Sequence, residues 1–155
     1  MEDRLFRNAM GKFATGVTVV ATEVDGNAHG MTANAFMSVS LNPKLVVVSI
    51  AEKAQMLEKI KESQSFSVNI LSAEQQEESM VFAGQLKEHR DIVFEHLAGI
   101  PVLPGALVQV VCEVSAEHVE GDHTLFIGKV KEIKIDESNL EPLIYFSGKY
   151  RSLAE

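Results

Sequence analysis

At 155 residues and 17.0 kDa the chain is long enough for one domain whose core needs no disulfide or metal, and its 46% hydrophobic and 23% charged residues exclude a disordered polymer. A net charge of −8, from 14 Lys plus Arg against 22 Asp plus Glu, argues against nucleic acid as a partner. A lone cysteine excludes an internal disulfide, and the lack of a leader-like start or of any apolar run near ~18 residues predicts a cytoplasmic protein without a membrane span.

Asp3 is placed to cap a first helix whose apolar positions Leu5, Phe6, Ala9, Met10 and Phe13 fit the 3.6-residue period, with Gly16 ending it. Val17 to Thr22 is rich in β-branched residues and reads as a strand. Asp25-Gly26-Asn27 is a hairpin signal, and residues 28–37 are expected to return as its partner. Asn42-Pro43 breaks the chain again. The continuous apolar run Leu45 to Ile50 predicts a strand buried on both faces.

A short helix follows from Gln55 to Ser63, with Met56, Leu57 and Ile60 on one face, and then a strand from Phe66 to Leu71. Ser72 with Gln75 has capping-box spacing and opens a second short helix running to Ala83-Gly84. Residues 85–105, mixed in charge and holding two prolines and two glycines, read as a long surface connection. Val108, Val110, Cys112, Val114 and Ala116 alternate as a half-buried strand, which makes Cys112 a buried strand residue and not a nucleophile. Glu120-Gly121-Asp122 turns the chain into a strand over Thr124–Asp136 whose alternation slips near Gly128, as at a bulge. Leu143 to Phe146 forms the last strand. Strands with hairpin links and no βαβ alternation predict a mostly β, antiparallel, barrel-like single domain over residues 1–155 with a few short helices.

Neither GxGxxG nor GK[ST] occurs, so a Rossmann half and a phosphate-binding P-loop are excluded. Among the histidines, His29, His89, His96 and His118 read as surface residues, and no metal-ligand spacing is present. His123 stands apart because a Gly-Asp turn delivers it at the start of a strand, where a side chain can be displayed into a cleft. The stretch Thr32-Ala33-Asn34-Ala35, with Ser38, Val39 and Ser40 beyond it, mixes small apolar and hydroxyl or amide side chains. Such residues let a ligand approach the backbone and offer hydrogen bonds without fixed charge, although on turn chemistry alone a short turn between two strands is the simpler reading. Phe146-Ser147-Gly148-Lys149-Tyr150 again places small residues at a strand end.

In order and spacing, these stretches, together with Asp3–Val19, Ala83-Gly84 and Gly121-Asp122-His123-Thr124, resemble the short-chain flavin reductases, most closely the reductase components of two-component phenol 2-hydroxylases. The resemblance covers essentially the whole chain. It implies a split β-barrel of Greek-key type that forms a homodimer, reduces flavin with NADH and supplies a flavin-dependent oxygenase. It places Thr32, Ala33, Asn34, Ala35, Ser38, Val39 and Ser40 along the flavin, followed by Ser49 and Ile50. Lys53 and Ala54 fall near the phosphate, and Ala83 and Gly84 at the far end of the cofactor. His123 falls by the nicotinamide with Gly148, Lys149 and Tyr150.

Where relatives carry a hydroxyl pair for the phosphate, this chain has Ala51-Glu52-Lys53-Ala54-Gln55. The task then falls to Lys53 and free N–H groups at the following helix, and Glu52 favours FAD over the doubly charged phosphate of FMN. Two other readings stand beside it: a flavin-binding electron carrier without NADH turnover, which the same small-residue cradle would serve, and an oxidase of the pyridoxamine phosphate type, which shares the barrel but calls for a denser cationic clamp.

Overall fold

The computed structural model describes residues 1–86 and 92–153; His89 lies outside them. Its centre is a seven-stranded antiparallel sheet in the order β3-β2-β6-β9-β10-β5-β4. The strands are β2 (Thr18–Val24), β3 (Asn27–Ala33), β4 (Phe36–Leu41), β5 (Lys44–Ala51), β6 (Ser65–Ile70), β9 (Val108–Glu120) and β10 (His123–Ile135). β1 (Thr15–Gly16) joins β11 (Ile144–Phe146) and β12 (Lys149–Arg151) in a small second sheet, and β7 (Glu95–Leu97) pairs with β8 (Ile100–Val102). Among the described residues there are also three helices, α1 (Asp3–Met10), α2 (Gln55–Ser63) and α3 (Gln76–Phe82), the last preceded by a 3₁₀ turn at Ala73–Gln75.

β3 and β4 are the two edges of the large sheet, yet only Asn34 and Ala35 separate them in the chain. A link that short spans at most roughly 11 Å. The edges are therefore drawn together at one end, and the sheet curls into a barrel that stays split along its length. Phe36 N–H donates to the Asn34 carbonyl at 3.0 Å, tightening the corner. The barrel core collects Val20, Val46, Val48, Ile50, Phe66 and Phe126 from four strands, and α2 lays Met56, Leu57 and Ile60 into it. A smaller core, built on Val17, Val19, Leu71, Leu103 and Leu143, joins the other face of β2 to the small sheet.

Hairpin chemistry holds where it was expected. Asp25 and Gly26, at φ 51° and 77°, connect Val24 to its partner Asn27. The register of β9 against β10 shifts between Ile127 and Gly128. There a Cβ on residue 128 would lie 2.7 Å from Phe66 Cζ and 2.8 Å from Cys112 Cβ, so glycine is needed for the strands to approach.

Several expectations are corrected. α1 stops at Met10 with Gly11 as its cap, because residues 15–16 are taken by pairing with Tyr145 and Ile144. Residues 28–37 are not one strand; they are divided at Asn34-Ala35. β5 buries only Val46, Val48 and Ile50, and its other face, with Val47 and Ser49, lines an open groove. The apolar run at residues 45–50 thus serves a core on one side and a hollow on the other. Within residues 85–105 lies a docked hairpin. Ser67 Oγ donates to the Pro101 carbonyl at 2.6 Å, and Asn69 Oδ1 accepts from Leu103 N–H at 2.9 Å. A further strand, β12, follows β11 through the turn Ser147-Gly148. No helix among the described residues is long and apolar enough to cross a membrane.

Candidate functional site

Three concavities meet at Asn34. The first is an open groove of about 920 Å³ between the α1–β1 connection and the split of the barrel, with Phe13, Thr15, Asn34, Ala35 and Ser49 in its walls. The second, of about 760 Å³, lies between α1 and the β11–β12 turn, and includes Arg7, Lys12, Asn34, Ser147 and Gly148. The third is a hollow of about 190 Å³ bounded by Thr32, Ala33, Asn34, Ser79, Ala83 and Tyr150. The first two have the size of cofactor and substrate clefts.

The chain geometry explains why these residues converge. The corner at Asn34-Ala35 turns a pair of small side chains outward where the two sheet edges meet, and Ser49 N–H fixes β5 beside it by donating to the Ala35 carbonyl at 3.1 Å. On the other side, Thr32 Oγ1 donates to the Ser79 carbonyl at 2.6 Å, which holds α3 over β3. Ser79 Oγ and the Tyr150 hydroxyl are 2.8 Å apart, and the Tyr150 ring meets Tyr145 edge-on with centroids 5.3 Å apart. Gly148, at φ 75°, makes the turn that returns Tyr150 to this wall.

Thr32, Ala33, Asn34, Ala83 and Tyr150 therefore share one hollow. Asn34 links it to the grooves that hold Ala35 and Ser49 on one side and Gly148 on the other. Gly84 closes α3 at φ 74° beside Ala83, and Lys149 is exposed on β12. Other expected residues fall elsewhere. Ile50 is fully buried in the barrel core, since alternation along β5 turns its side chain away from the groove that Ser49 faces. Ser38, Val39 and Ser40 stand on β4 beyond the three concavities, at a register shift between Ser38 and Ser40. Their displacement follows from the break at Asn34-Ala35, which starts a new strand.

His123 does not join Gly148, Lys149 and Tyr150 in any of the three concavities. Its register partner is Ala51, and Glu52 N–H donates to the Asp122 carbonyl at 2.9 Å, so the His123 turn is stitched to the Glu52-Lys53 turn that leads into α2. His123 Nδ1 lies 2.8 Å from Asp122 Oδ1. That hydrogen bond and the imidazole's charge hold the Asp122 carboxyl below its ordinary range, with Lys53 adding to the effect. Lys53 and Ala54 thus sit with His123, at the uncapped start of α2, where no side chain binds the first N–H groups.

Residues that the sequence did not mark include Ser79 and Tyr145, while Thr15 and Ser147 lay within the quoted stretches but were given no role of their own. The Thr15 and Ser147 hydroxyls are buried without a hydrogen-bond partner in the walls of the first and second concavities. Such groups cost stability unless something else satisfies them. Neither lay in a pattern that distinguishes a wall residue from a turn residue.

Comparison with known proteins shows what the whole chain is similar to. The family model "Flavin reductase like domain" matches residues 10–154. An NADH-dependent flavin reductase of a Rhodococcus species is 45% identical over 150 residues, covering 95% of this chain and 84% of that protein. The reductase component of 4-hydroxyphenylacetate 3-monooxygenase from Thermus thermophilus is 38% identical over 148 residues, covering 96% and 95%. The solved structure of flavin reductase PheA2 in its native state superposes with a TM-score of 0.97 at 64% identity, with both chains fully covered.

Proposed function

Because the chain belongs to the flavin reductase like domain family, we propose that it transfers hydride from NADH to a flavin and releases the reduced flavin to a separate flavin-dependent oxygenase. The observation that carries this reading is the meeting of the three concavities at Asn34, two of them of cofactor size, because stacked hydride transfer needs the two ring systems brought together over one wall.

Flavin supplies the ring that accepts hydride, so the protein's share is binding and orientation. Asn34 and Ser49 offer hydrogen bonds along the groove, while Ala33 and Ala35 allow close approach. Lys53 and the free N–H groups opening α2 attract the phosphate end, and Glu52 tilts preference towards FAD over FMN. Tyr150 and Gly148 flank the nicotinamide. His123, near Lys53, acts as a positioning side chain and not as an acid. The oxygenase served is of the phenol-hydroxylating kind, and the protein works in the cytoplasm.

The working unit is a homodimer. Phe6 on α1 and Met37 on β4 are exposed apolar side chains in the walls of the concavities, Val39 and Leu41 are exposed further along β4, and one chain leaves His123 apart from Tyr150. A second copy about a two-fold axis would cover these side chains and complete the cleft. Sedimentation of a fully active 17.0 kDa monomer would refute this.

The test of the activity is NADH oxidation with FAD, FMN and riboflavin supplied in turn, together with flavin fluorescence titration. Bleaching of flavin by NADH, faster than by NADPH, is expected. Flavin binding without bleaching would identify an electron carrier instead, and no binding at high micromolar flavin would overturn the whole reading.

A further inference from the structure

The hydroxyl of Ser79 is fully buried, and its neighbours make it more than filler in α3. Its Oγ sits 2.8 Å from the Tyr150 hydroxyl, across 71 residues of chain, while its carbonyl accepts the Thr32 hydroxyl at 2.6 Å. One residue therefore holds both walls of the hollow below Asn34. The flavin-side wall hangs on its backbone and the nicotinamide-side wall on its side chain.

We propose that Ser79 is a positioning residue for nicotinamide use, setting the Tyr150 phenol against the nicotinamide ring through the buried hydroxyl pair; this rests on the reading of Tyr150 given above. The division between backbone and side chain makes the idea separable. Ser79→Ala deletes the bond to Tyr150 but keeps the carbonyl that anchors Thr32. Nicotinamide constants should move while flavin affinity stays. Tyr150→Phe deletes the same bond from the other end and keeps the ring, including its edge-on contact with Tyr145.

The chain holds two tyrosines and no tryptophan, so tyrosine spectroscopy reads this bond directly in the ligand-free protein. Three measurements are compared across wild type, Ser79→Ala, Tyr150→Phe and the double variant. They are the tyrosine ultraviolet Raman doublet without ligands, FAD affinity by fluorescence titration, and NAD⁺ affinity of the FAD-loaded protein by calorimetry, with KM for NADH alongside. Ser79→Ala should shift the doublet, leave FAD affinity within about 2-fold, and weaken NAD⁺ binding and raise KM by about 3- to 10-fold. The double variant should be no worse than either single one, because both remove one bond.

A shifted doublet with unchanged NAD⁺ affinity and KM would show a bond that only braces α3, and would overturn the proposal. So would effects that multiply in the double variant. A wild-type protein that binds FAD but no NAD⁺ would overturn the nicotinamide reading and this proposal with it, and that failure is visible before any substitution.

Discussion

Thr32→Val is the most informative single change at the proposed flavin wall, because valine keeps the shape and β-propensity of threonine and removes only the hydroxyl. In the structure that hydroxyl is a donor to the Ser79 carbonyl at 2.6 Å, so its proton is already committed before any ligand arrives. The same carbonyl also accepts Ala83 N–H at 3.0 Å within α3, so losing Thr32 does not leave it orphaned. The cost is then one ordinary hydrogen bond, about 0.5–1.5 kcal/mol, without the larger penalty of a stranded buried group. For a chain of this size that corresponds to a fall in Tm of about 1–6 °C. Flavin affinity should weaken by less than about 10-fold, because only lone pairs are available to the ligand. Differential scanning fluorimetry without flavin and fluorescence titration with FAD measure the two effects separately. An unchanged Tm with a 100-fold loss of FAD affinity would mean that the hydroxyl is a direct flavin donor and that the tether to α3 is irrelevant.

Three other outcomes are expected. Burial pushes the Cys112 thiol up to about 12, so the native protein should not react with a disulfide reagent at neutral pH and should react fully once denatured; stoichiometric native labelling would contradict this. Gly128→Ala should destabilise the protein by about 1–3 kcal/mol, read from a chemical denaturation midpoint, because its Cβ would meet Phe66 and Cys112 at less than 3.0 Å; an unchanged midpoint would show that the bulge yields freely. Burial and the nearby Lys59 charge hold the His29 imidazole below its usual range, so the unfolded chain binds that proton more readily. This contribution to stability is complete above the ordinary histidine pKa and falls as pH drops through it towards the lowered folded value. His29→Gln should flatten part of that acid-side loss in Tm, and an identical pH profile would refute the assignment.

The turns were legible because each carries its own chemistry. Asp25-Gly26 needs two positive φ angles, Gly121-Asp122 closes the β9–β10 hairpin, and Met56, Leu57 and Ile60 have helical spacing, so α2 lies over the expected residues. The corner at Asn34-Ala35 was not legible, since two small residues inside a hydroxyl-rich strand pattern look the same whether the strand continues or restarts. Ser38, Val39 and Ser40 were placed by the resemblance, and the new strand that carries them lies beyond the three concavities. Residues 100–104 were hidden for another reason. Their anchors are single polar side chains on neighbouring strands, Ser67, Asn69 and Gln109, and a buried amide within a strand does not reveal which distant carbonyl it will reach. His123 was placed correctly on its turn, but which wall that turn faces depends on how β5 and β10 pair.

The two-residue corner at Asn34-Ala35 also bears on how the cleft answers a ligand. Between β3 and β4 the sheet has no hydrogen-bond ladder, so what keeps its rims together there is the covalent chain. A ladder can unzip one rung at a time, whereas a backbone link cannot lengthen. Ligands of different thickness must then be accommodated by a change in curvature shared over all seven strands, not by local parting of the rims at Asn34. Gripping oxidised and reduced flavin differently would thus be a property of the whole barrel, with the corner as its fixed pivot.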